Sequence, residues 1–237
     1  MKRTKTNLQK PPALAGGFCF ARNLLFFIAM QYRFSSLFGK PTIFVSGLLL
    51  AFVSSGAAQQ GVAPTFAPTA QQTFEGRGDW SRANVTGLPT GASSSWTINM
   101  FVRPETALYE LTLIGGFGDG RDVAGTQRYI GRIGGGIHFW GGGVDLESDV
   151  PFDVGGWQMI SATYDGRNVT LYKNGMAIGT GVATFKDASP QVRLAPTGTW
   201  PSQDQHQFKG RVQGFAVWNG ALSPTAIREL MKGMPKK

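Results

Sequence analysis

The chain has 237 residues, with 33 glycines, 17 phenylalanines and a low charged fraction of 16%. Many glycines together with many aromatic residues are typical of short strands joined by tight turns, and they argue against a helical bundle. The net charge of +9 arises mainly in residues 1–58, which hold seven basic residues and no acidic one; 16 basic and 14 acidic residues follow them. Because that remainder has no basic stripe, the sequence predicts no nucleic-acid partner.

Residues 1–58 have the layout of a secretory leader. An apolar run over residues 43–53 follows a basic segment and precedes small residues, which predicts cleavage after Ala58, with Ala57 as the alternative, and a start codon at Met30. The run is shorter than the ~20 apolar residues that a transmembrane helix needs, and an uncleaved N-terminal membrane anchor is the alternative. Cleavage removes Cys19, the only cysteine, so no disulfide is expected. We expect a protein that is secreted, periplasmic or on the cell surface, without membrane contact after signal cleavage.

The next part of the chain changes from a lead-in to strands. Residues 59–73 are rich in Gln, Ala, Pro and Thr and predict a flexible segment before a domain over residues 74–237. Apolar residues alternate over residues 95–103, which predicts a strand, and residues 109–117 predict a second one. Glycine triplets divide residues 128–146 into further strand pieces.

Three more strands are predicted in a row, over residues 157–164, 167–173 and 176–181. Asp165-Gly166 fits a type I′ hairpin turn, because both residues tolerate a positive φ. Asn174-Gly175 supplies the next turn, so the three strands form an antiparallel meander.

The C-terminal part predicts one long strand and one short helix. The apolar pattern of residues 208–219 changes face near Gln213-Gly214, which indicates a β-bulge. Residues 222–233 begin with a serine N-cap followed by proline and end at Gly233, a candidate C′ residue. Together these elements predict an all-β fold, a two-sheet antiparallel β-sandwich (jelly roll) with one short C-terminal helix.

The order of these pieces resembles the laminin G-like, concanavalin A-like lectin-glucanase superfamily, in its secreted bacterial form. The matching blocks are "WTINMFVRPE" (96–105), "GGWQMISATYDGRNVTLYKNGMAIG" (155–179) and "FKGRVQGFAVWNGALSPTAIREL" (208–230). The resemblance implies the jelly-roll fold and a function among sugar-binding lectins, adhesion modules, accessory domains, glucanases and polysaccharide lyases. Gln213 replaces the acidic residue that is usual in the closing block, and Gln158 and Met159 replace two histidines.

Candidate ligand-binding residues are aromatic and polar side chains near glycines. His138 and Trp140 share a strand face between glycine triplets, where a sugar ring could stack on the indole. The alternative is that Trp140 packs between the sheets and that His138 is a satisfied or surface histidine. Trp80 is a further candidate in a loop-like segment. A last group of candidates lies close together in sequence: Trp200, Asp204 and His206.

A metal site and a catalytic site each have one candidate segment. Asp119 and Asp122 lie in a glycine-rich loop whose oxygens suit Ca²⁺, which the resemblance also implies; the alternative is a turn in which Asp119 caps its own backbone. Asp145, Glu147 and Asp149 would share one face of a strand, as the carboxylates of a glycosidase do. Their spacing departs from the Glu-x-Asp-x-x-Glu pattern of glucanases on this fold, and the alternative is the polar face of an edge strand or loop.

We therefore expect a secreted binding module, without catalytic residues, that recognises carbohydrate or another extracellular ligand, with Ca²⁺ as a candidate cofactor. A glycan hydrolase or lyase that uses the carboxylates of residues 145–149 is one alternative. A structural or adhesion module that binds an extracellular protein is the other.

Overall fold

A computed structural model describes residues 62–76, 79–197 and 207–236 of the chain. The predicted leader, its cleavage site and the candidate start at Met30 lie outside the described residues. Within the described ranges, no helix combines the length and the apolar character needed to span a membrane.

The described residues form two antiparallel sheets of six strands each. The strands are β1 (Gln72–Glu75), β2 (Trp80–Arg82), β3 (Trp96–Pro104), β4 (Thr112–Phe117), β5 (Arg128–Ile133), β6 (Gly136–Trp140), β7 (Leu146–Glu147), β8 (Gln158–Tyr164), β9 (Asn168–Lys173), β10 (Met176–Val182), β11 (Val192–Leu194) and β12 (Lys209–Asn219). The first sheet has the order β1-β12-β3-β8-β9-β10, and the second has the order β2-β11-β4-β5-β6-β7. One helix, α1 (Pro224–Leu230), and a 3-10 turn (Met231–Gly233) follow β12. The predicted sandwich with a short C-terminal helix is confirmed.

The core between the sheets is built by alternating apolar residues and is rich in aromatic rings. In β3, every second side chain from Trp96 to Val102 is fully buried in this core. The Trp96 ring stacks on Phe139 of the second sheet at 5.4 Å and lies 5.7 Å from Tyr164 of the first. These contacts join the two layers, so the period-two pattern of β3 fixes which face of the first sheet is inside.

Helix α1 covers the outer face of the first sheet. Phe101 and Trp218 point away from the core and pack with Ile227 of the helix in a second apolar cluster. Ser223 caps the helix as predicted, because its side chain accepts a hydrogen bond from the Ala226 amide at 3.2 Å. The helix ends differently from the prediction: Gly233 belongs to the 3-10 turn and is not a C′ residue with positive φ.

The two turns of the predicted meander differ in backbone conformation. Asn174 and Gly175 have φ values of 49° and 77°, as a type I′ turn requires. At the other turn Gly166 has a positive φ but Asp165 does not, so the type I′ prediction is wrong there. The Asp165 carboxylate instead accepts hydrogen bonds from the amides of Arg167 and Asn168 at 2.8 and 2.6 Å. This side-chain cap holds the turn without a second left-handed residue.

Two irregularities set where strands begin and bend. The predicted β-bulge of β12 is present, since the pairing with β3 shifts between Gln213 and Ala216. The strand predicted over residues 109–117 begins only at Thr112, because Leu111 has a φ of 67° and the Thr112 hydroxyl donates to the Tyr109 carbonyl at 2.9 Å. The residues before Thr112 therefore belong to a loop at the rim of the sandwich.

Candidate functional site

A groove opens at the end of the sandwich where β3 ends and β4 begins. Its main cavity has a volume of about 670 Å³, which lies in the range of small-ligand sites. We call it the rim groove; the described residues that line it are Gly76, Thr106, Ala107, Leu108, Tyr109, Glu110, Arg132, Gln207 and Lys209. A smaller cavity of about 190 Å³ shares Ala107, Leu108 and Arg132 with it and continues to Phe152 and Val154. The two cavities give the groove an elongated form.

Arg132 occupies the part of the groove that both cavities share. It lies in β5 opposite Thr112 of β4 and Ile137 of β6. Because Ile137 points into the core, the alternation of the strands places Arg132 between the sheets, at their open end. Its Nη1 atom donates a hydrogen bond to the Leu108 carbonyl, which holds the guanidinium against the rim loop.

The rim loop between β3 and β4 supplies the aromatic and acidic side chains of the groove. Tyr109 is 60% exposed and is the only aromatic residue among the large exposed hydrophobic residues of the described chain, and Glu110 beside it is also exposed. The turn closed by Leu111 and Thr112 fixes the backbone at this point. The groove therefore presents an accessible ring beside charged groups of both signs.

The structure places His138 and Trp140 away from the rim groove, on the outer face of the second sheet. Their neighbour Phe139 points into the core, as the predicted alternation requires. Trp140 is fully buried in a separate cluster, where its ring lies 6.0 Å from that of Tyr129. The alternative interpretation, with Trp140 between the sheets, is wrong because the β5–β6 register turns Trp140 and Tyr129 to the other face. Sugar stacking on Trp140 stays a prediction, and it requires this buried ring to become accessible.

His138 is buried next to the carboxylate segment. Its ring nitrogens form no hydrogen bond, and Nε2 lies 3.7 Å from a carboxylate oxygen of Asp145. Glu147 pairs with His138 across β6 and β7, and the exposed Asp145, Glu147 and Asp149 alternate with less exposed residues, although only Glu147 of the three lies in a strand. Asp145 also accepts a hydrogen bond from the Gly141 amide at 2.9 Å. In the described chain this carboxylate stabilises a loop, which fits the alternative of a polar strand face.

The remaining predicted ligand-binding residues do not meet at one place. Trp80 lies in the short edge strand β2 and not in a loop, and its half-buried ring packs 6.3 Å from Phe66 against the core. The other three candidates, Trp200, Asp204 and His206, lie outside the described residues.

Asp119 lies at the opposite end of the sandwich from the rim groove, in the loop that connects β4 to β5. Its carboxylate accepts hydrogen bonds from the backbone and Nε atoms of Arg121 at 3.0 and 2.7 Å, and from Nε2 of Gln127 at 2.9 Å. Burial of the side chain raises the pKa of Asp119, but the hydrogen bonds from Arg121 and Gln127 outweigh it, so that the pKa lies below the ordinary value of 3.8.

This loop does not fit a calcium site in the conformation described. Ca²⁺ needs six to eight oxygen ligands, whereas the Asp119 oxygens face N–H groups and a guanidinium. Among the described residues, no group of three or more His, Cys, Asp or Glu side chains is arranged to hold a metal ion. The backbone amide of Arg121 bonds to Asp119, which is the self-capping turn that the sequence offered as the alternative. Calcium at Asp119 and Asp122 remains a prediction.

The residues of the rim groove carry no clear signal in the sequence. The pattern of residues 109–117 predicts a strand for Tyr109 and Glu110, and Arg132 and Lys209 belong to a balanced set of charges. The signal that marks them is Leu111, whose positive φ breaks the strand, but a leucine gives no hint of that conformation in the sequence.

Comparison with known families and structures gives one match to a family and several to folds. Residues 75–228 match the profile of the Concanavalin A-like lectin/glucanases superfamily, which is more than half of the chain. A search of curated protein sequences finds no significant match.

Three solved structures illustrate the likeness in fold. Domain 4 of an extracellular arabinanase from Geobacillus stearothermophilus, in complex with arabinotriose, is 20% identical with a TM-score of 0.53, and the alignment covers 67% of this chain and 75% of that one. A heptameric SAP-like pentraxin from Limulus polyphemus is 13% identical with a TM-score of 0.52, over 68% of this chain and 81% of that one. The binding domain of botulinum neurotoxin DC, in complex with rat synaptotagmin II, is 15% identical with a TM-score of 0.52, over 70% of this chain and 42% of that one. At these identities the comparisons establish the fold.

Proposed function

Because the chain belongs to the Concanavalin A-like lectin/glucanases superfamily, we propose that it is a non-enzymatic module that binds carbohydrate in the rim groove. The observation that carries the proposal is the combination of an exposed ring, Tyr109, with Glu110, Arg132 and Lys209 in one elongated groove. Sites for small ligands have this form, a concave surface with a few polar groups that fix orientation.

Each of the groove residues would make a different contact with a bound sugar. The Tyr109 ring offers an apolar face on which the C–H groups of a pyranose pack, and its hydroxyl adds a polar group. Arg132 and Lys209 donate hydrogen bonds to sugar oxygens, and the Glu110 carboxylate accepts them from hydroxyl groups. The elongated groove suits an oligosaccharide more than a single sugar.

The place of action that we propose is outside the cytoplasm. The predicted secretory leader supports export of the protein, and a carbohydrate ligand on a cell surface or in a matrix would then be within reach. Calcium assistance at Asp119 and Asp122 would require the Arg121 guanidinium to leave the Asp119 carboxylate.

A protein ligand is the second candidate, favoured by the edge strand β10. Met176 and Val182 on this strand are each 73% exposed, and single apolar residues at a sheet edge suit contact with another protein. The arginine- and lysine-bearing rim groove would then have no ligand of its own.

A glycan array tests the proposal directly. The purified full chain is applied with calcium and with a chelator, and Tyr109→Ala is applied beside it. We expect binding to at least one class of oligosaccharide that Tyr109→Ala reduces. Absence of binding to every glycan in both conditions would remove the proposal and leave the protein ligand as the candidate.

A further inference from the structure

Arg132 is presented to the rim groove in a fixed orientation. It lines both cavities, and its strand position directs it into the open end between the sheets. The hydrogen bond to the Leu108 carbonyl restricts the guanidinium further. A pre-oriented planar guanidinium in a groove matches the geometry of a carboxylate, with which it forms paired N–H···O bonds.

Arg132 and Lys209, the two cations of the groove, differ from other cations of the described chain in their ion pairs. Among the described residues, no ion pair within 4.0 Å includes Arg132 or Lys209. Glu110 lines the same groove, and Glu75 stands opposite Lys209 in the register of β1 and β12, yet neither reaches that distance. By contrast, Arg121, Lys173 and Arg193 each have an aspartate partner at 3.0 Å or less: Asp119, Asp153 and Asp79, respectively.

The groove also contains a buried acceptor that has no hydrogen-bond partner among the residues that the structure describes. The Oε1 atom of Gln207 is buried and accepts no hydrogen bond, although buried polar groups in proteins nearly always have one. Rotation of the Gln207 side chain would expose this oxygen to a ligand hydroxyl in the groove, and a second hydroxyl would reach the carboxylate of Glu110. The groove thus offers donors for an anion, acceptors for hydroxyls and the Tyr109 ring.

We propose that the rim groove selects saccharides that carry carboxylates, that is, oligosaccharides of uronic acids. The inference rests on the proposed carbohydrate-binding function and specifies its ligand class. A sugar carboxylate bonds to Arg132 and Lys209, while its hydroxyls bond to Gln207 and Glu110 and one ring face packs on Tyr109. A neutral oligosaccharide leaves both cations without a counter-charge and binds more weakly.

Matched ligand pairs test this selectivity. Oligosaccharides of galacturonic, glucuronic and mannuronic acid are each compared by calorimetry with the carboxyl-reduced oligosaccharide of the same linkage, using the full chain. At least one acidic member is expected to bind about tenfold tighter than its neutral counterpart at low salt, because hydrogen bonds to charged groups are the stronger ones. Added salt is expected to shrink this advantage.

Substitutions then assign the effect to the two cations. Arg132→Gln and Lys209→Gln are each expected to lower the affinity for the acidic oligosaccharide by about tenfold. The affinity for the neutral oligosaccharide should fall less. Lys186→Gln, the same change at an exposed lysine outside the groove lining, is the matched control and leaves both affinities unchanged. If Arg132→Gln fails to fold because the hydrogen bond to Leu108 is lost, Lys209→Gln still tests the inference, because Lys209 is exposed.

The outcomes separate this inference from the proposed function. Equal affinity for all acidic and reduced pairs, or full affinity of Lys209→Gln, would overturn the preference for carboxylates while leaving carbohydrate binding intact. Absence of binding to any saccharide, charged or neutral, would remove both.

Discussion

Tyr109 is the residue on which sugar binding in the rim groove depends most. Its ring is exposed beside three charged side chains of the groove, so Tyr109→Ala removes contact area without opening a cavity in the core. We expect this change to lower the affinity for the tightest-binding oligosaccharide of the array by about tenfold. This factor corresponds to the loss of an aromatic contact of about 1–1.5 kcal/mol. Calorimetry with the same ligand measures the loss.

The control for Tyr109→Ala is Met176→Ala, which truncates another exposed side chain on β10, at the far edge of the first sheet. Both variants should melt close to the parent protein. Equal affinities of Tyr109→Ala and Met176→Ala would show that the ring is not part of the site.

The Asp119 carboxylate makes the free energy of unfolding fall at acid pH. Its folded pKa is below the ordinary 3.8, so its contribution is fully present above that value and is lost as the pH falls through the folded pKa. Asp119→Asn loses the charge-assisted bonds from Arg121 and Gln127, and we expect it to be about 1–2 kcal/mol less stable at pH 7. Denaturant unfolding from pH 7 to pH 3 should show the two proteins converging toward the acid end. A constant difference over this range would refute the charge effect.

Single residues were predictable where a side chain bonds to its own loop. The turn at Asp119 is predictable because an aspartate readily accepts a hydrogen bond from the backbone amide two residues later. The structure contains this bond, from the Arg121 amide to the Asp119 carboxylate. The location of Trp140 was harder, because alternation shows that it opposes Phe139 but cannot show which face of a sheet is outside. Tyr109 was missed because its exposure depends on the backbone of Leu111.

Gly214 sets the bulge of β12, and it shows how one element constrains another. Its φ is 59°, and a Cβ atom at this position would lie 2.8 Å from Cδ2 of Phe101, whose ring packs in the cluster under α1. We expect Gly214→Ala to lower the free energy of unfolding by about 2–4 kcal/mol, from backbone strain plus the clash. Urea unfolding measures this loss.

Gly143→Ala separates the strain from the clash. Gly143 has a φ of 80° but nothing within 4 Å of an added Cβ atom, so only the strain of about 1 kcal/mol applies. Similar losses for the two variants would contradict the close packing of Phe101 against the bulge.

At the scale of elements, periodicity predicted the strands and the bulge well. β3, β8, β9 and β12 all follow the alternation of their sequences, and the parity break near Gln213 gave the bulge its place. Element ends were predicted less well, because they depend on local backbone states. Leu111 starts β4 late, and the C-terminal helix tightens into a 3-10 turn at Gly233.

At the scale of the molecule, the sequence of strands does not determine their order in the sheets. Neighbours such as β12 and β3, or β11 and β4, are far apart in the chain, and the resemblance of three sequence blocks to a family supplied the sandwich. The rim groove combines β5, the β3–β4 loop, the residue after β1 and the beginning of β12 with Gln207 before it. No local pattern joins these segments, which is why the groove appears only with the fold.

Calcium binding is a property of the whole molecule that a thermal shift measures, because a ligand of the folded state raises its stability. With a dissociation constant of about 0.1–1 mM, typical of extracellular modules, about 5 mM Ca²⁺ would stabilise the fold by about 1–2 kcal/mol. That corresponds to a rise of at least about 2 °C in Tm for a chain of this size.

We expect the Tm to stay within about 1 °C between calcium and chelator, well below that rise, because Arg121 and Gln127 already occupy the Asp119 carboxylate. Arg121→Gln removes the guanidinium and is the informative partner variant, since it leaves Asp119 and Asp122 in place. A calcium-dependent rise in both proteins would show that the chain binds Ca²⁺, and loss of that rise in Asp119→Asn would place the ion at the predicted site. A rise in Arg121→Gln alone would show that the arginine takes the place of the metal ion, because only its loss frees the carboxylate to bind a cation.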